Sequence, residues 1–263
     1  MKKILAMILA AMLLFTLVSC GEKGDEGGAE IQDAANSDIY VDPETNDKFA
    51  REMDELGGYA IVGFTSGSST PHKVVIPAEI DGVEVTGIGT GAFKLNGYVS
   101  EVEIPSSVEY IDDFAFYGCN YLKSVTMTDS VVELGVGVFE NCTVLENVKL
   151  TAAIEKLPAY LFLNCKALKT VAIPEKVTEI GDGAYMGCSA VTEVTVPANV
   201  KNIGDCAFYG MTALTKATVP ANVETLGQYV FNAAAEGFVL SGKADSAAQA
   251  YALENEYTFE VIA

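Results

Sequence analysis

Val171-Ala-Ile-Pro-Glu-Lys-Val-Thr-Glu-Ile-Gly-Asp-Gly-Ala-Tyr-Met-Gly-Cys188 is followed, 23 residues on, by Val194-Thr-Val-Pro-Ala-Asn-Val-Lys-Asn-Ile-Gly-Asp-Cys-Ala-Phe-Tyr-Gly-Met211. The same phrase runs along most of the chain. Its aromatic recurs as Phe116, Phe139, Phe162, Tyr185, Phe208 and Phe231, each 23 residues from the next. A cysteine follows the first four by three residues, at Cys119, Cys142, Cys165 and Cys188. A second column runs Pro105, Thr128, Thr151, Pro174, Pro197, Pro220. A fixed period of this size marks a solenoid, in which each short unit buries its apolar side only by stacking on its neighbours. Such an architecture favours a long binding surface over a compact catalytic pocket.

Within each unit, a first strand is predicted from the alternating pairs Val102/Ile104, Val125/Met127, Val148/Leu150, Val171/Ile173, Val194/Val196 and Ala217/Val219, all pointing inward. A second inward set follows at Val108/Ile111, Val131/Leu134, Ile154/Leu157, Val177/Ile180, Val200/Ile203 and Val223/Leu226. The Gly-x-x-Ala-Phe piece is too short for a full helix and predicts one turn of 3₁₀ or α. Residues 59–234 form this solenoid, beginning with a longer unit that contains Val74-Val-Ile-Pro77, an extra Asp81-Gly82 turn and Phe93. Residues 235–263 read as a C-terminal cap: a strand at Phe238-Val-Leu240, a helix over Ser246–Ala252 and a strand over Tyr257–Val261. A capping helix is predicted over 43–58, with Asp42 as cap, Pro43 in the first turn, Gly57-Gly58 as stop, and Phe49, Met53 and Leu56 on one face against the first rung.

The unit with Val-x-Ile-Pro, Ile-Gly, Ala-Phe and Cys-x-x-Leu resembles the BspA-type leucine-rich repeats of bacterial surface proteins, over about residues 59–234. Residues 246–259 are similar to that family's terminal piece. The resemblance implies a leucine-rich-repeat solenoid at a bacterial cell surface that binds other macromolecules, host matrix proteins in some members. It supplies no catalytic motif. Thr128 and Thr151 stand where the family has Pro, and Met211 where it has Cys.

The N-terminus reads as targeting rather than fold. Lys2 and Lys3 precede an apolar stretch from Ile4 to Val18, short for a membrane span of roughly 20 residues and suited to a secretory signal. Leu17-Val18-Ser19-Cys20 looks like a bacterial lipobox, which assigns 1–19 as a lipoprotein signal peptide and Cys20 as the acylated residue (palmitate among its chains). Residues 20–42 are then an acidic, Gly-rich flexible tether. Residues 20–56 carry 12 acidic and 3 basic side chains, and the whole chain carries a formal charge of -20. That charge repels nucleic acid and anionic membrane, so contact with a membrane is expected only through the lipid. The expected partner is an extracellular protein or glycan.

No cofactor, metal or catalytic residue is expected. His72 is the single histidine, so any His-dependent nucleophile must use it. The Asp112-Asp113 pair reads as a solvated turn. Asp42-Pro-Glu-Thr-Asn-Asp47 lacks the alternating acids, central Gly and closing Glu of an EF-hand. Strands stacked about 4.8 Å apart would put Cys119 and Cys188 roughly 14 Å apart, too far for one zinc ion. Adjacent rungs bring cysteine Cα atoms within disulfide range but keep the Cβ atoms about 5 Å apart, beyond the usual ~3.5–4.5 Å, so the column reads as buried, reduced thiols, with Cys206 outside it as the candidate reactive thiol. Two surfaces are candidates for binding. The outward residues of the first strands form a polar ladder: Glu101, Glu103, Ser124, Thr126, Asn147, Lys149, Thr170, Glu193, Thr195, Lys216 and Thr218. The positions flanking the aromatic column form a broken ridge of Phe114, Tyr117, Tyr160, Leu163, Met186, Tyr209 and Tyr229, which packing between rungs explains more readily than an exposed site. The function read from the sequence is a lipid-anchored surface binding protein. The alternatives are a structural envelope spacer without a specific ligand and, remotely, an enzyme.

Overall fold

The computed structural model describes residues 38–262. The candidate signal peptide at 1–19, Cys20 and most of the candidate tether lie outside them. The chain winds as a solenoid whose rungs contribute up to two short strands and a turn. The first strands stack in parallel as His72–Val75, Val99–Glu103, Ser124–Thr126 and Asn147–Val148, then again as Glu193–Thr195, Lys216–Thr218, Val239–Gly242 and Thr258–Val261. We call this the first-strand face. The second-strand face stacks Tyr59–Thr65, Val83–Ile88, Tyr110–Ile111 and Glu133–Leu134, then Lys156–Leu157, Glu179–Ile180, Asn202–Ile203 and Thr225–Leu226. Between the regular rungs register is kept at 23 residues, as in Glu133↔Tyr110 and Ile180↔Ile203, and only the end pairs depart from it, as in Val74↔Val102 and Val239↔Thr258.

Both faces are interrupted in mid-array. On the second-strand face each rung donates a backbone N–H to the rung before: Asp112 to Ile88, Gly135 to Ile111, Gly181 to Leu157, Gly204 to Ile180, Gly227 to Ile203. The missing member of that series is Pro158, which has no N–H to give. On the first-strand face the expected strand at 170–173 does not form, and Val148, Val171 and Ile173 are only half-buried. This interruption follows the two rungs that carry Thr128 and Thr151. The buried Thr151 hydroxyl donates to the Val131 carbonyl at 2.8 Å.

The turn between rungs is not interrupted anywhere from Gly91 to Asn232. Its amides alternate in use. Those of Ala115, Tyr117 and Cys119 bond within the rung, to Asp112, Phe114 and Phe116, while those of Phe114, Phe116 and Gly118 reach the next rung, at Val136, Val138 and Glu140. The helical turn expected here is replaced by successive β-turns, because two positions per rung are left-handed: Phe114 and Gly118 in one, Gly137 and Asn141 in the next. Inside this spine the rings form a stack. Centroids lie 4.9 to 5.7 Å apart from Phe93 through Phe231, with interplanar angles of 5 to 22°. Phe49 and Phe64 extend the stack at one end, and Phe238 and Tyr257 at the other. The hydrophobic core is contained between Phe49 and Ala252.

The capping helix expected over 43–58 is not present. Asp38–Val41 and Lys48–Met53 are antiparallel strands laid on Tyr59–Thr65, so the tether also ends earlier than residue 42. Locally, the Asp42 carboxylate accepts from the backbone of Glu44 and Thr45, which closes a turn, and Asn46 is left-handed. Globally, the first strand of the solenoid has an open edge whose backbone groups need partners, and a strand supplies them where a helix cannot. Phe49 is buried as expected, but Met53 and Leu56 stand in solvent. The C-terminal cap follows the sequence reading. Ser246 caps a helix over Ala247–Glu254, and Thr258–Val261 closes the first-strand face. The Tyr251 hydroxyl accepts the Val230 N–H at 2.8 Å.

Candidate functional site

The single arginine and the single histidine both fasten the N-terminal hairpin to the first rung. Arg51 bonds Asp81 at 2.7 Å and lies over the Tyr59 ring. His72 Nε2 meets the buried Asp47 carboxylate at 2.9 Å, and that carboxylate also accepts the Gly67 N–H. Nearby, Asp54 accepts from Thr86 at 2.5 Å, Tyr110 at 3.0 Å and the backbone of Leu56 and Gly58. Burial raises its pKa, but these hydrogen bonds outweigh burial and hold the carboxyl below its usual value. Among the described residues no group of three or more His, Cys, Asp or Glu is placed to hold a metal ion.

The four column cysteines are buried and unpaired. Each thiol donates to the carbonyl of the preceding rung's aromatic: Cys119 to Phe93 and Cys142 to Phe116 at 3.0 Å, Cys165 to Phe139 at 3.1 Å, and Cys188 to Phe162 at 3.2 Å. The column is thus a hydrogen-bonded seam as well as an apolar one, which the sequence did not announce. Burial pushes the thiols of Cys119, Cys165 and Cys188 well up. Cys206, the candidate reactive thiol, is also pushed up, by partial burial and then by Asp205 and Asp182. Its surroundings are the reverse of those that activate a thiolate.

The first-strand candidates are brought to one face, but not into one ladder. Glu101, Ser124 and Asn147 stand in register, as do Glu103 and Thr126, with Lys149 exposed beyond them. Glu193 and Thr195 align with Lys216 and Thr218 in a second group. Thr170 is exposed between the groups and belongs to no strand. Several of these side chains are engaged: Glu103 with Lys73 at 2.5 Å, and Lys216 with Glu260 at 2.8 Å.

The aromatic ridge is largely inter-rung packing. The Phe114 ring covers Gly137 and the Tyr160 ring covers Gly183, so closely that a Cβ on either glycine would lie 2.6 to 2.7 Å from ring carbon. An aromatic in one rung is seated on a glycine in the next. Phe114 and Tyr117 meet edge to face at 6.1 Å, and Lys94 lies over Tyr117. Leu163, Met186, Tyr209 and Tyr229 are half-buried, and Tyr160 is 41% exposed.

A third surface was missed. The second-strand face carries a groove of about 1040 Å³ that runs from Val132 to Gly227. Its walls are outward side chains of the second strands, Lys156, Glu179, Asn202 and Thr225, with Lys176 beside them. Its floor includes Gly181, Gly204 and Gly227. Those glycines are required by close approach: a Cβ at Gly204 or Gly227 would collide with the carboxylate of Asp182 or Asp205 one rung back. These carboxylates accept the N–H groups of Asp205 and Gln228 at 2.8 and 2.7 Å. The signal that could have found the groove is the Ile-Gly-Asp repeat itself, a strip without side chains bordered by polar positions.

The model of the BspA type leucine rich repeat region matches in six copies, over residues 86–210 and 156–241. The chain belongs to this family. Among solved structures, this BspA-type chain is similar to a leucine-rich repeat protein of T. pallidum at 22% identity and a TM-score of 0.56, with 82% of this chain and 96% of that one aligned. It is also similar to a leucine-rich cell surface protein from Faecalibacterium prausnitzii, at 27% identity and a TM-score of 0.50, with 71% of this chain and 55% of that one aligned. The BspA-type chain therefore spans about half of that second relative. No curated protein matches it.

Proposed function

We propose that this protein is a bacterial surface lipoprotein, held by an acylated Cys20, whose solenoid binds an extracellular protein or glycan. The observation that carries the binding assignment is the groove along the second-strand face. It crosses several rungs, and its walls are polar side chains that the core does not use. Repeat proteins recognise ligands on such extended surfaces. Membership of the BspA-type family and similarity to a protein called a cell surface protein support the location. The lipobox-like Leu17-Val18-Ser19-Cys20 supports the anchor. No catalytic role is assigned.

Two measurements test this. Cys20→Ala should release the protein from the membrane fraction, and salt-resistant retention would refute the anchor. For binding, residues 21–263, which contain the whole core, are screened against immobilised matrix proteins and a glycan array. A ligand held by this segment should be lost by Lys156→Glu/Asn202→Arg and kept by Thr195→Ala. Loss only with Thr195→Ala would move the site to the first-strand face. No ligand on either panel would favour the spacer.

A further inference from the structure

A second, smaller groove of about 600 Å³ lies toward the N-terminal end of the second-strand face, where the hairpin meets the solenoid. Its apolar part gathers exposed side chains in one place. Met53, Leu56 and Val132 line it with 61%, 57% and 56% of their surface in solvent, around the half-buried Tyr110 ring. The Tyr110 hydroxyl is tied to Asp54, so the ring is fixed in place. The polar part is entirely acidic: Asp54, Glu55, Glu109, Asp112 and Glu133, with no basic side chain in the lining.

Elsewhere among the described residues five glutamates take lysine partners, while the exposed Glu79, Glu84, Glu101 and Glu193 do not. Glu103, Glu146, Glu179, Glu224 and Glu260 each pair with one. Among the described residues, none of the five acids of this groove forms a salt bridge. The crowding leaves a mark on Asp112, whose pKa is raised by burial and then by Asp113 and Glu133. Uncompensated like charge around exposed apolar side chains is complementary to a ligand that brings both cations and an apolar group.

Charge narrows the occupant. The segment 20–37 holds five acids and one lysine, and a second copy of the chain carries -20, so both are repelled. Anionic lipid and nucleic acid are repelled for the same reason. A polyamine would meet the carboxylates but leave Met53 and Leu56 uncovered. We propose that this groove docks a cationic amphipathic segment of a partner protein, with its Lys or Arg side chains on Glu55, Glu109 and Asp112 and an apolar side chain on Met53, Leu56 and Val132. The site does not depend on the larger groove, which it meets only at Val132 and Glu133.

The test measures fluorescence anisotropy of a labelled Lys-Leu-Lys-Leu-Lys-Leu-Lys peptide on residues 21–263, beside a peptide with Ser in place of Leu. Expected results are saturable binding of the Leu peptide, about tenfold weaker binding of the Ser peptide, and no binding to Glu55→Lys/Glu109→Lys. Met53→Ser/Leu56→Ser should weaken the Leu peptide by a similar factor, while spermine should compete poorly. All four substituted side chains are exposed, so circular dichroism should match the parent. A matched reversal on the other face, Glu101→Lys/Glu193→Lys, should leave binding within about twofold. Equal loss in that control, equal binding of the two peptides, or no binding of the Leu peptide would each overturn the proposal. None of these results would bear on the larger groove, whose residues are untouched.

Discussion

The turn spine and the two strand faces are built from the same repeat, yet they tolerate change differently. In the spine the inter-rung hydrogen bonds run without a gap from Gly91 to Asn232, and the rings stack from Phe93 to Phe231. On the faces the ladders stop, at Pro158 on one side and over 170–173 on the other. The winding survives both interruptions because the spine bridges them. Order in this solenoid is therefore set by the column of buried aromatics and cysteines, which leaves the faces free to carry proline, threonine and polar side chains. The ring column has one irregular member. Tyr185 is fully buried among phenylalanines, and its hydroxyl has no hydrogen-bond partner among the described residues.

The contrast is broken most directly at Phe162, which lies in the middle of the stack between Phe139 and Tyr185. Phe162→Ala should cost about 3–5 kcal/mol through lost transfer energy and the cavity left behind. The rungs on either side should also uncouple, so the thermal transition should broaden or split. A melt like that of the parent would show that the spine does not hold the array together. A smaller effect of opposite sign is expected at Tyr185. Tyr185→Phe keeps the ring and removes the orphaned hydroxyl, so the urea midpoint should rise by the equivalent of about 1 kcal/mol. A fall would mean that the hydroxyl is satisfied in solution. Smallest of all is Thr195→Ala on the first-strand face, expected within about 0.5 kcal/mol of the parent. A loss above about 1 kcal/mol would show that the faces carry more of the stability than their interrupted ladders imply.

Much of this was legible in the residues. The period placed every aromatic of the column in the core, and the inward pairs of the second strands are buried with only Leu226 partly exposed. The thiols were expected to be buried, although their bonds to carbonyls one rung back were not, since a donor–acceptor pair 26 residues apart has no local signal. The helix expected over 43–58 had acceptable local chemistry and became strands, because a tertiary edge needed backbone partners. The Gly or Asn before each column cysteine, as in Gly118, Asn141 and Asn164, was a readable sign of a left-handed turn and went unread.

The sequence by itself determined the winding, because a repeat of 23 residues can bury its apolar side only against a copy of itself. Tertiary structure alone decided where a groove opens on the surface. A groove is a relation between outward side chains of several rungs and the glycine strip below them, and strand alternation marks those positions only as polar and outward. The acidic groove beside the hairpin depends on tertiary structure even more. Met53 and Leu56 reach Glu109 and Val132 only because the hairpin folds back onto the sheet, and no spacing in the chain encodes that meeting.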